Sequence, residues 1–112
     1  MDCVFCDIVK GKTGSSLEVK KRNVTAFRSI DPAAEIHILI VPNVHTESFM
    51  DLNKKLHFVF LEMIEVARFF IKKYKIENGY KLVINGGKYQ SIKHLHLHLL
   101  GGKMKADYID RI

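Results

Sequence analysis

The sequence contains no run approaching the ~20 apolar residues that a membrane-spanning helix requires, so a membrane is not an expected partner. Its first ten residues, MDCVFCDIVK, lack a basic stretch followed by an apolar core, which argues against a secretory signal and makes the cytoplasm the expected compartment. Internal repeats and low-complexity linkers are also missing, so residues 1–112 are read as a single domain. Cysteine is scarce, with only Cys3 and Cys6 in the spacing CVFC. Two cysteines without a secretory signal do not make a disulfide framework. A CxxC pair reads instead as half a zinc site or a redox dithiol. The redox form normally follows a strand in a βαβ unit, and no strand precedes residue 3, so half a zinc site is the better reading.

An apolar fraction of 47% over 112 residues supplies enough side chains for a packed core and excludes a disordered chain. The formal net charge of +6 invites a nucleic-acid reading, but the lysines are scattered along the chain. Scattered cations usually form a solvated face, so nucleic acid is not an expected partner, while a positive field suits small anions such as phosphates.

Val4–Lys10 reads as a short helix closed by Gly11 and the turn-forming stretch Thr13–Ser16. Leu17–Lys20 and Val24–Ile30 read as strands, followed by a break at Asp31-Pro32. Ile36–Val41, stopped by Pro42, is a third strand. Between Leu52 and Tyr74, apolar residues recur at steps of three and four, which predicts one long helix over Leu52–Tyr74, with Asn78-Gly79 beyond it as a stop signal. Phe58 and Phe69 share a face off its main stripe and suit either core packing or a subunit interface. Tyr80–Asn85 and Ile92–Leu100 are the remaining strands, the last ended by Gly101-Gly102. Five short strands with one long and one short helix predict an α+β fold around an antiparallel sheet.

The run HLHLHLL carries the chemistry. Alternation puts His94, His96 and His98 on one face of the last strand and Leu95, Leu97 and Leu99 on the other. Three imidazoles in a row bring six ring nitrogens that need partners, which is costly unless they line a polar cavity. Imidazole serves as nucleophile or acid–base group near neutral pH.

HLHLHLL fits the signature of the histidine-triad family at every position. FCDIVKG, AFRSIDPAAEIHILIVPNVH and NGGKYQSIKHLHLHLLGG also resemble the Hint branch of that family, in the same order and over essentially the whole chain. The resemblance implies a homodimer that binds a purine nucleotide or nucleotide conjugate. It implies hydrolysis at the α-phosphorus of nucleoside phosphoramidates or dinucleoside polyphosphates through a covalent nucleotidyl-histidine. His96 matches the attacking histidine, with the His94 carbonyl fixing its tautomer. His98 and His37 match histidines around the phosphate. Asn85, Gln90 and Ser91 match residues that hold phosphate oxygens or the leaving group, and Ser29 and Ile30 fall in the ribose-binding segment. By the same resemblance, Cys3, Cys6, His45 and His94 match a structural zinc set that the chemical step does not need. A closed Cys₂His₂ set has no open position for catalysis.

Two departures from the family pattern bear on nucleoside binding. Ser29 stands where an acidic residue grips the ribose, and a serine cannot clamp two hydroxyls as a carboxylate does. The loop at Gly86–Tyr89 is about two residues shorter than the pattern, with Tyr89 in place of a glycine. Two alternatives stand beside the enzyme reading: a nucleotide-binding or protein-interaction module with little activity, and a metalloenzyme using His94 and His96 as a zinc pair.

Overall fold

A computed structural model describes residues 3–13 and 16–105. Helix α1 spans Val4–Val9; strands β1, β2 and β3 span Leu17–Lys20, Val24–Arg28 and Ala34–Pro42. Helix α2 spans His57–Lys73, and strands β4 and β5 span Tyr80–Val83 and Leu97–Met104. The five strands form one antiparallel sheet in the order β1-β2-β3-β5-β4, so the expected α+β architecture holds. Part of the turn expected at Thr13–Ser16, Gly14 and Ser15, lies outside the described residues.

Alternation along the strands sorts the side chains into two layers. Val24 and Ala26 of β2, Ile38 and Ile40 of β3, and Leu97 and Leu99 of β5 meet Val59, Met63, Val66 and Phe70 of α2. On the opposite face, Phe27, Leu39 and Val41 pack against Phe5, Ile8 and Val9 of α1. His37 alternates with Ile38, and His98 with Leu97 and Leu99, so both stand on the α1 face. Phe58 and Phe69 remain half exposed, so they are not core residues.

Several boundaries differ from the expectation. The stretch before α2 is wound as two 3₁₀ turns, Phe49–Asp51 and Lys54–Leu56, with Leu52 and Leu56 still packed on the core. The helix ends at Lys73 with Tyr74 as its cap, where it was expected to end. Lys75 adopts φ of 54°, and the amides of Lys75 and Ile76 reach back to the carbonyls of Lys72 and Ile71 at 3.2 and 3.0 Å. That is a Schellman closure made without glycine. Strand β5 does not end at Gly101-Gly102 but runs through them. Opposite Ala34–Ile36 it holds one extra residue, and Gly102 takes φ of 71° in the bulge. A Cβ on Gly101 would sit 2.4 Å from Ile76 Cδ1, so the pair serves close packing rather than termination.

The largest correction concerns the triad. Sheet pairing in β5 begins only at Leu97, so His94 and His96 precede the regular strand and only His98 lies in it.

Candidate active site and metal centre

His98 and His37 are placed by the sheet. His98 faces Leu39, and His37 faces Leu100, which makes the two histidines diagonal neighbours on adjacent strands. His37 Nε2 lies 3.0 Å from His98 Nδ1. The Ala33 amide donates to His37 Nδ1 at 3.0 Å, so in a neutral ring the proton sits on Nε2. That proton is donated to His98 Nδ1, which leaves the His98 proton on its own Nε2. This Nε2–H is the only buried side-chain polar atom without a partner among the described residues. A buried donor with nothing to bind is costly in a finished core and suited to a site that receives a ligand acceptor.

Both rings are held neutral. Burial depresses the His37 pKa, and the Asp31 carboxylate offsets this in part. Burial, together with the neighbouring His96 and His37, pushes His98 down to about 4.

His96 and His94 are placed differently. His96 Nδ1 lies 2.7 Å from the His94 carbonyl, which only accepts, so Nδ1 carries the proton and Nε2 keeps a lone pair. Burial depresses the His96 pKa, partly offset by that bond, which keeps the ring neutral and its lone pair available. Phe5 of α1 meets His96 edge to face at 5.1 Å and His94 at 5.9 Å. Sequence reasoning missed Phe5, although it lies between the two cysteines. The Ala33 amide and the Pro42 carbonyl were missed as well, because main-chain groups leave no mark in residue identity.

His94 is fully buried, with Nε2 donating to the Pro42 carbonyl at 2.9 Å, so Nδ1 keeps a lone pair. That lone pair points at two thiols, Cys3 Sγ at 3.3 Å and Cys6 Sγ at 3.5 Å. His45 Nδ1 lies 3.3 Å from Cys6 Sγ, and the four ligand atoms all fall within 4.8 Å of one another. Tetrahedral zinc with two thiolates and two imidazoles sets ligand atoms about 3.4–3.8 Å apart. The donor set, its tautomer and its spacing therefore fit a closed Cys₂His₂ site. Without a cation, burial and the adjacent Cys3 raise the Cys6 pKa; a cation at this place reverses that preference.

The remaining expected site residues divide. Asn85 lies two positions beyond Val83, which stands opposite His98, and so continues toward the triad segment. Ser91 is exposed beside it. The Gln90 side-chain amide donates to two main-chain carbonyls, Glu47 at 2.6 Å and Ile92 at 3.0 Å, which fastens the loop before the triad segment. The Ser29 amide donates to the His37 carbonyl at 3.0 Å, and its hydroxyl accepts from the Asp31 amide at 3.2 Å. Ile30 is 94% exposed. Tyr89 is exposed on the short 3₁₀ turn at Gly87–Tyr89, with the Lys88 ammonium 5.3 Å from its ring centroid.

A family described as "Scavenger mRNA decapping enzyme C-term binding" matches residues 2–111. An uncharacterized HIT-like protein of Buchnera aphidicola is 42% identical over 103 residues, covering 89% of this chain and 92% of the relative. The purine nucleoside phosphoramidase of Escherichia coli is 34% identical over 105 residues, covering 91% and 88%. A 14 kDa zinc-binding protein of Zea mays is 38% identical over 105 residues, covering 89% and 81%. Among solved structures, a HIT family hydrolase from Legionella pneumophila superposes with a TM-score of 0.87 at 33% identity, covering 92% of this chain and 95% of that one. With the motif, the sheet and these relatives in agreement along nearly its whole length, the chain belongs to the histidine-triad family, on its Hint-like branch.

Proposed function

We propose that the protein is a nucleotidyl hydrolase acting on purine-nucleoside phosphoramidates or related conjugates, with His96 as nucleophile. The observation that carries this reading is the His96 tautomer: the 2.7 Å bond from Nδ1 to the His94 carbonyl leaves the Nε2 lone pair for attack. Nε2 forms a bond to the α-phosphorus as the bond to the leaving group breaks. His98, whose Nε2–H has no partner among the described residues, donates a hydrogen bond to the departing amine or phosphate, which takes its proton from solvent. Water then attacks the phosphorus, the P–N bond breaks with its electron pair returning to His96 Nε2, the nucleoside monophosphate leaves, and the proton released by water passes to solvent. His37 keeps His98 in the donating tautomer through the chain that starts at the Ala33 amide. Asn85 and Ser91 hold phosphate oxygens, and Ser29 and Ile30 face the nucleoside. The phosphoramidase relative supports the substrate class.

Cys3, Cys6, His45 and His94 would hold a structural zinc, which binds the protein together and takes no part at phosphorus. The maize relative's name agrees with that donor set. No helix among the described residues is long and apolar enough to cross a membrane, and both cysteines are free thiols, as a reducing cytoplasm keeps them. Residues 1–112 act as one domain. Its partner is a second copy, docked through the exposed apolar face that Ile64 of α2 shares with Tyr80 and Leu82 of the edge strand β4.

The test is acid-quenched mass spectrometry of the protein mixed with an adenylyl amine. An added nucleoside monophosphate on the His96 peptide is expected, and His96→Ala is expected to lose both the adduct and turnover. Full turnover by His96→Ala would sink the assignment. Undetectable turnover by the unaltered protein on AMP- and GMP-linked amines would favour a binding module, the reading that Ser29 supports.

A further inference from the structure

The segment that carries His96 has no sheet to hold it. Regular pairing in β5 starts at Leu97, so residues 91–96 depend on other anchors. The Gln90 amide grips the Glu47 and Ile92 carbonyls, and the Leu95 amide donates to the Thr46 carbonyl at 2.7 Å. His94 has every polar group committed: its amide to the Ile92 carbonyl at 2.9 Å, Nε2 to Pro42, Nδ1 toward the two thiols, and its own carbonyl to His96. The residue that sets the His96 tautomer is thus also the deepest member of the four-ligand cluster.

We propose that Cys3, Cys6 and His45 are positioning residues for the nucleophile, acting through His94. This rests on the reading of His96 as nucleophile and of the cluster as a metal site. A cation bound at His94 Nδ1 obliges the His94 proton to stay on Nε2, where it engages Pro42. The ring is then fixed at both nitrogens, and with it the main-chain carbonyl that receives the His96 proton. A second route runs through α1. Cys3 and Cys6 flank Phe5, so clamping them onto the site presses the Phe5 ring against His96 and confines its swing. His45 adds a third tie, because the next residue, Thr46, holds the Leu95 amide. Ile8 and Val9 pack α1 in one cluster with Phe27, Leu39 and Val41 of the sheet, a contribution to stability that comes from neither the thiols nor His45.

The experiment uses the full chain with its metal content measured. Cys6→Ser is expected to lower metal content and reduce kcat on an adenylyl amine by about 10–100-fold, with KM changed less than about threefold. Nitrogen NMR of labelled histidine is expected to show His96 passing from one tautomer to a mixture. Val9→Ala, which loosens α1 without touching the cluster, is expected to lower the melting temperature while kcat and the His96 signal stay unchanged. Should Cys6→Ser fail to fold, chelation of the unaltered protein followed by return of Zn²⁺ gives the same readout: His96 is expected to lose and regain its single tautomer. A folded, metal-depleted protein with unchanged kcat and an unchanged His96 signal overturns the proposal, as does purified protein that takes up no metal. Neither result touches the nucleophile assignment, which fails only if His96→Ala stays active.

Discussion

The two halves of the histidine site are built by different means. His37 and His98 sit on paired strands, where register alone sets their 3.0 Å contact and a main-chain amide fixes both tautomers. His94 and His96 sit just outside the ladder and are held by side-chain anchors. A strand position is inherited from many ladder bonds at once and is hard to disturb singly. A loop position held by a few side chains is adjustable, and each anchor is open to removal. The His37–His98 half therefore rests on the robust element, and the half proposed to supply the nucleophile on the sensitive one.

The sharpest way to break the comparison is to silence one half alone. His98→Ala is expected to lower kcat on an adenylyl amine by about 10²–10⁴-fold, while metal content and the His96 tautomer stay as they were. The deficit is expected to shrink with a leaving group that departs without a proton, such as an acidic phenol. Steady-state kinetics on the two substrates checks this, and an equal loss on both would remove His98 from contact with the leaving group.

Acid titration probes the neutrality of the sheet half. His98 has a folded pKa of about 4 against an ordinary value near 6.5, so the unfolded chain binds more protons between those limits. Stability is therefore full above about pH 6.5 and declines as pH falls toward about 4, by on the order of 1–3 kcal/mol from this residue. The groups facing it are His96 and His37, with Asp31 acting on His37. Urea unfolding at pH 7.5 and 5, compared with His98→Gln, isolates the contribution: the pH slope should be smaller in the variant.

On the loop half, Gln90→Ala takes the donor from the Glu47 carbonyl and leaves the Ile92 carbonyl with the His94 amide alone; it is expected to cost about 1–3 kcal/mol in urea unfolding, with the His37–His98 contact unaffected. The smallest effect is remote from both halves. Lys75→Gly relieves a left-handed lysine at the end of α2 and is expected to stabilise by about 0.5–1 kcal/mol, with kcat unchanged.

Much of the fold is legible because apolar periodicity reports burial directly. Ile38, Ile40, Leu97 and Leu99 alternate as a strand should, and Val59, Met63, Val66 and Phe70 follow the helical stripe. The same periodicity misplaced the start of β5, because Leu95 is buried in the core although its residue pairs with no neighbouring strand. Alternation records which way a side chain points, not whether its main chain is bonded to a sheet. At Gly101-Gly102 the sequence signal for a stop was a signal for close approach to Ile76 and a bulge. In the site, Cys3, Cys6, His45 and His94 come together and His96 bonds the His94 carbonyl as the resemblance implied, whereas the donation of the Gln90 amide to two main-chain carbonyls leaves no mark in the sequence.

Cys3 and His94 meet across 91 positions of chain. A ligand set assembled from such distant residues cannot form locally, and closing so long a loop is among the larger entropic steps in folding. The four-residue cluster around His94 is therefore expected to close only once α1 has docked on the sheet. Any free metal that selects the completed set shifts the folding equilibrium by mass action, so the protein's resistance to unfolding should rise with metal concentration.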